Sequence, residues 1–236
     1  MQNLTLHDIH YTELDPVTMT WCATAEVRAS HYYHNQKTNT YLSASQVAYN
    51  QRQLQRTGVR LLLQALLKKL AINDSLDESS FPYRLIDRQY YVCFSHTSSS
   101  NKNAAHIQND REDSHIPSIK VAVIINNHRA SGIDIEINTV KWQIAQRFYH
   151  PKELIILQTM SLIQRNHTIK YLWQIKESFI KIHQYTLAQG LGMDYSAIIA
   201  DLIKQSTDNL PLLTIADDAS GYRISAIDSQ QTIIVY

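Results

Sequence analysis

Between residues 45 and 70 the chain reads SQVAYNQRQLQRTGVRLLLQALLKKL, with Leu54, Val59, Leu62, Leu63, Leu66, Leu67 and Leu70 at helical spacing and Lys68 and Lys69 in the last turn. The spacing predicts a long amphipathic helix. Ahead of it, TMTWCATAEVRAS over 18–30 has the apolar, β-prone character of a first strand, and YYVCFS over 90–95 predicts a short one. The polar stretch over 98–118 has no apolar period and predicts a mobile loop. IKVAVIIN over 119–126 and SGIDIEIN over 131–138 predict two strands joined by a tight turn at Asn127-His128-Arg129-Ala130, a hairpin.

Beyond that hairpin the period changes from two to about 3.6 and predicts successive helices over 142–148, 152–164 and 168–184. The chain then returns to strands in LLTIADD, YRISAID and QTIIVY, separated by turn signals at Asp217-Asp218, Ser220-Gly221 and Asp228-Ser229. The order strand, helix, strand, then again strand, helix, strand implies an α+β chain in two halves of similar size, 1–126 and 127–236.

Composition narrows the classes of function. With 236 residues and 44% hydrophobic content the chain can bury a large core. Lys and Arg number 22 against 21 Asp and Glu, a formal charge of +1, which argues against a nucleic-acid or membrane-surface binder and makes any anion site local. Cys22 and Cys93 lie far apart with no framework of further cysteines and read as reduced thiols of a cytoplasmic protein. The opening MQNLTLHDIHYTELDP lacks the features of a secretion signal, and no apolar run is long enough to span a membrane.

Candidate chemistry sits after residue 131. In Gly132-Ile133-Asp134-Ile135-Glu136-Ile137 the side chains alternate, so Asp134 and Glu136 share one face of a strand. Adjacent carboxylates repel unless a cation lies between them, and hard oxygen ligands suit Mg²⁺. Alone, such a triplet is an ordinary polar face. In YLWQIKESFIK, Leu172, Ile175, Phe179 and Ile182 form a buried stripe while Glu177 and Lys181, four apart, share another face. Together the segments supply three carboxylates and a lysine, the set that a metal-bound diphosphate needs. Ser95 and His96, at the end of a strand, could add hydroxyl and imidazole donors.

These residues resemble the surfactin-synthetase-activating type of 4'-phosphopantetheinyl transferase. GIDIE, IAQRFYHPKE, LWQIKESFIK and the Gly190-Leu191-Gly192 turn follow in that family's order, and weaker likeness reaches back through Phe94-Ser95-His96 to the helix bearing Arg52. The resemblance implies two α/β subdomains related by a pseudo-twofold axis, with coenzyme A in the cleft between them. It implies Asp134, Glu136 and Glu177 as Mg²⁺ ligands, and Arg52, Ser95 and His96 as contacts to the 3'-phosphate or adenosine end of coenzyme A. Lys181 would face the diphosphate and Glu177 would serve as general base. Glu153 also falls on a family position near the active site. The implied partner is an acyl or peptidyl carrier protein, in a monomeric enzyme of nonribosomal peptide or siderophore synthesis.

Some positions depart from the family. Its usual Gly-Lys-Pro is replaced by Ser80-Phe81-Pro82, removing a phosphate-binding lysine for which Arg84 could substitute, and Val92-Cys93 stands where Phe-Asn is usual. A metal-dependent nuclease and a non-catalytic carrier-binding module are the rival readings. Apolar residues beyond one buried stripe, Tyr149, Leu157, Met160 and Leu162, predict a carrier-docking face between 148 and 184.

Overall fold

The computed structural model describes residues 4–29, 44–99, 119–206 and 212–236. The first long strands, β1 (Leu4–Asp15) and β2 (Thr20–Ala29), form an antiparallel pair and lead to helix α1 (Ala44–Lys69). Short β3 (Leu76–Asp77) and β4 (Tyr83–Leu85) follow, then β5 (Tyr91–Ser98) and β6 (Ile119–Asn126). These make one antiparallel sheet in the order β1-β2-β6-β5-β4-β3. A second antiparallel sheet, β7-β10-β9-β8, is built from β7 (Gly132–Ile135), β8 (Leu213–Asp217), β9 (Tyr222–Ile227) and β10 (Thr232–Val235). Between β7 and β8 run α2 (Trp142–Phe148), α3 (Pro151–Gln158), α4 (Leu162–His183), α5 (Leu187–Leu191) and α6 (Ile199–Ser206).

Strand alternation sorts the side chains into three cores. Ala23, Val27, Val121, Val123 and Ile125 face α1 and meet its Leu54, Leu62, Leu63 and Leu66. Their neighbours Cys22, Ala122 and Ile124 point the other way, against Ile133, Ile135, Ile234 and Tyr236 of the second sheet. The far face of that sheet, through Ile233, Val235 and Ile224, packs on Leu172, Ile175 and Phe179 of α4. The layers are therefore helix, sheet, sheet, helix, and each fully buried aliphatic side chain contributes about 1.5–3 kcal/mol.

The α+β class holds. The halves expected to form a pseudo-twofold pair are unequal among the described residues, with six strands and one helix in the first sheet's half against four strands and five α-helices in the second's. The expected hairpin over 119–126 and 131–138 does not form. Both edges of β6 are taken, by β2 and β5, so β7 has nowhere to pair and joins β10 instead. The turn is redirected by Asn126, whose Oδ1 accepts from the amides of His128 and Arg129 while its Nδ2 donates to Ser131.

Two more expectations are corrected. The helices expected over 152–164 and 168–184 divide at 159–161, where Ser161 caps α4 by accepting from the Gln164 amide. Met160, packed against the core, carries the apolar period across that break. The Gly190-Leu191-Gly192 turn is the end of α5, and Gly190 is needed there because a Cβ would stand 2.0 Å from Ile180. Strand β1 was not anticipated. The loop expected over 98–118 lies, from residue 100 on, outside the described residues.

Candidate active site

Strand β7 is an edge strand of the second sheet, and its open side faces β5 and α4. Gly132 lets α4 approach: a Cβ there would lie 2.3 Å from the Ser178 carbonyl oxygen. With the helix that close, Lys181 reaches across the strand edge and donates to the Ile133 carbonyl at 2.7 Å, to Asp134 Oδ1 at 2.9 Å and to Ser95 Oγ at 3.1 Å. Ser95 Oγ in turn donates to Asp134 Oδ1 at 2.9 Å and accepts from the Ile135 amide at 3.2 Å. The neighbouring carboxylate repeats the pattern one pleat along. Glu136 Oε1 accepts from Thr97 Oγ1 at 2.9 Å and from the amide and side chain of Asn138, each at 2.8 Å.

Asp134 and Glu136 thus receive these bonds on one oxygen each, Oδ1 and Oε1. Asp134 is buried at 7% exposure and is no solvent-facing carboxylate as the alternation alone implied. Burial of Lys181 works against its charge, yet the Asp134 carboxylate, Cys93 and Glu177 together more than offset it and hold the ammonium above the usual lysine value. Glu177, half-buried one turn earlier on α4, is held above the ordinary carboxylate value by burial and by the charges of Asp134 and Glu136, with Lys181 acting in the opposite sense. Three carboxylates and one ammonium therefore share a single electrostatic neighbourhood at the β7–α4 seam.

Other expected residues stand apart from this cluster. Ser95 and His96 occupy opposite faces of β5: Ser95 turns to the carboxylates, while the exposed His96 follows Val92 and Phe94 on the α1 side. Partial burial of the ring, with the Lys181 ammonium second, holds that imidazole below its usual value. Arg52 is exposed on α1, one residue from Gln51, whose amide reaches Ser98 Oγ. Arg84 lies over the Tyr91 ring at 4.3 Å and donates to its hydroxyl. Burial raises the thiols of Cys22, to about 12, and Cys93, which removes both as nucleophiles.

Glu153 is a structural residue in this fold. It is fully buried, pairs with Lys176 at 2.9 Å and accepts from the Tyr195 and His150 amides. The expected docking residues also move: Tyr149 and Leu157 are core and Met160 is partly buried, while Leu162 is exposed together with Ile155 and Ile163. Thr97, Asn138 and Gln174 were not anticipated. Thr97 had a signal, since it follows Ser95 by the two residues that separate Glu136 from Asp134. Gln174 donates to the carbonyls of Asp134 and Gln231 and had none.

Among the described residues no group of three or more His, Cys, Asp or Glu side chains is gathered closely enough to hold a metal ion, and no helix is long and apolar enough to cross a membrane. The donor set at the seam is nonetheless all oxygen, the chemistry that a hard divalent cation takes.

No protein-family model matches the chain. Over 74 residues it is 40% identical to the 4'-phosphopantetheinyl transferase gsp of Aneurinibacillus migulanus, a stretch that makes up 31% of this chain and 28% of that protein. The match is local and covers less than a third of either chain.

Proposed function

We propose that the protein transfers the 4'-phosphopantetheine group of coenzyme A to a serine hydroxyl of an apo acyl or peptidyl carrier protein, releasing 3',5'-ADP. The observation that carries this reading is the β7–α4 seam, where Asp134, Glu136 and Glu177 share one neighbourhood with the Lys181 ammonium. The local likeness to a named phosphopantetheinyl transferase also supports it.

In this reading Asp134, Glu136 and Glu177 would hold Mg²⁺ through their oxygens, and the ion when bound supplies positive charge against the diphosphate. Lys181, locked to Ile133 and Asp134, presents a fixed cation toward the leaving phosphate without reorganising during the reaction. Glu177 accepts the serine proton as that oxygen attacks the β-phosphorus of coenzyme A and the bond from that phosphorus to the ADP oxygen breaks. Its raised proton affinity suits a base working near neutral pH. Ser95 and Thr97 hold the two carboxylates in place. His96 and Arg52 contact the nucleotide end, and the enzyme is a cytoplasmic monomer of the surfactin-activating type that serves secondary metabolism.

The test is to incubate the protein with coenzyme A, Mg²⁺ and apo carriers from fatty acid, polyketide and peptide synthesis. One carrier should gain the mass of a single phosphopantetheine, and the kcat/KM ranking would identify the pathway. No mass gain on any carrier sinks the proposal.

A further inference from the structure

The seam has a second cationic end that the reading above does not use. Along it, Ser178 lies against Gly132, and four residues back Gln174 bonds the Asp134 carbonyl. Four helical residues rise about 6 Å, and two strand residues about 6.6 Å. The two elements run in opposite directions and keep step, so Lys170, four residues further back, comes opposite Glu136. A second lysine approaches from the other sheet. Lys120 on β6 follows Ala122 and Ile124 on the face turned toward the second sheet, and it pairs in register with Thr97, the residue bonded to Glu136.

Neither ammonium forms an ion pair with a described residue, although Lys170 is half-buried and lies within electrostatic reach of Glu136, Asp228 and Lys120. Two lysines thus come toward one carboxylate from separate layers, within electrostatic reach of each other and neither closing on it. Beside Lys120 lies a cavity of about 160 Å³, lined by that lysine together with Asp8, Thr24, Glu26, Ile135 and Gln230. Loss of water around Lys170 is the first effect that pulls its proton affinity down, and an incoming anion would reverse it.

We propose that Lys120 and Lys170 form an anion subsite that takes a phosphate group of the phosphorylated co-substrate, apart from the phosphate that Lys181 meets. The subsite deepens the transferase reading and rests on it for the identity of the co-substrate, while anion binding itself does not depend on that reading.

Calorimetry with inorganic pyrophosphate tests the subsite, using the full chain, Lys170→Met, Lys120→Met, Lys170→Arg and, as a remote control, Lys69→Met. Pyrophosphate should bind the wild type and the control alike, about tenfold more weakly to each Met variant, with Lys170→Arg recovering most of the loss. Circular dichroism checks that each variant folds, and Lys120→Met stands in should Lys170→Met not fold. Wild-type affinity in both Met variants, no binding to the wild type, or a loss shared by Lys69→Met overturns the subsite. A second arm with coenzyme A separates the two claims. Lysine-dependent pyrophosphate binding without any coenzyme A binding upholds the subsite and overturns the transferase reading instead.

Discussion

Lys176 and Glu153 meet at 2.9 Å with neither side chain exposed to solvent, and the Lys176 ammonium lies 5.0 and 5.1 Å from the ring centres of Tyr149 and Tyr195. Lys176 also donates to the Met193 carbonyl, so the pair ties α3, α4 and the segment after α5 into one unit. Its sequence neighbour Glu177 turns to the seam, so two adjacent residues of one motif divide between scaffold and site. Removing one member leaves a buried charge alone. Lys176→Met or Glu153→Gln should each lower unfolding stability by about 3–5 kcal/mol, and the double variant by less than their sum. Urea denaturation of the four proteins measures this coupling.

Asp134→Ala should be costlier to the fold than its place in a polar strand pattern implies. The substitution strands Lys181, whose side chain is 23% exposed, and removes the acceptor of Ser95. A loss of about 2–3 kcal/mol is expected, whereas Glu177→Gln should cost under about 1 kcal/mol. Both should abolish phosphopantetheine transfer. Thermal melts beside the carrier mass assay separate the structural from the chemical effect, and wild-type transfer by either variant would remove that residue from the site.

Gly132→Ala should force α4 away from β7, because the new methyl group would overlap the Ser178 carbonyl. Backbone cannot yield as a side-chain tip can, so a cost of about 3 kcal/mol or more is expected. Any folded variant should lose transfer through a lower kcat, with Lys181 drawn out of reach of Asp134.

Asp194 gives the acid limb of stability a defined contributor. Burial raises its carboxyl somewhat, but hydrogen bonds from Ser196, the Lys152 ammonium and nearby His150 bring it down to about 2. A depressed carboxylate stabilises the fold above its unfolded value, near 3.8, and loses that contribution as pH falls toward 2. Asp194→Asn should therefore be less stable than wild type by about 1 kcal/mol at pH 6, the partial exposure of the pair reducing the full linkage value. The difference should close by pH 2, which denaturant titrations across that range would show.

Much of this fold is written locally. The leucine period gave α1 within a residue at each end, and alternation with turn signals gave β8, β9 and β10. Strand β1 escaped because LTLHDIHYTELD carries polar residues along an edge strand that only one neighbour covers. The pairing of β7 escaped for a different reason. Ile133 and Ile135 signal burial but not the partner, and the partner lies about a hundred residues on, in Thr232–Val235. At the site, alternation placed Asp134 and Glu136 on one face, and helical spacing joined Glu177 with Lys181. What no local pattern carried was that Ser95 and Thr97 arrive from another sheet to bind those carboxylates, or that Glu153 turns inward.

The open edge of β7 has one further consequence. Its outward amide at Ile135 and carbonyl at Ile133 are the groups through which a foreign strand would add itself to the sheet. Ser95 and Lys181 occupy both of them. The side chains that set the chemistry thereby also complete the backbone hydrogen bonding of the buried strand that carries them. A variant such as Ser95→Ala or Lys181→Ala, made to probe transfer, would leave a backbone group of a buried strand without its partner, and its lost activity would arrive together with a loss of stability.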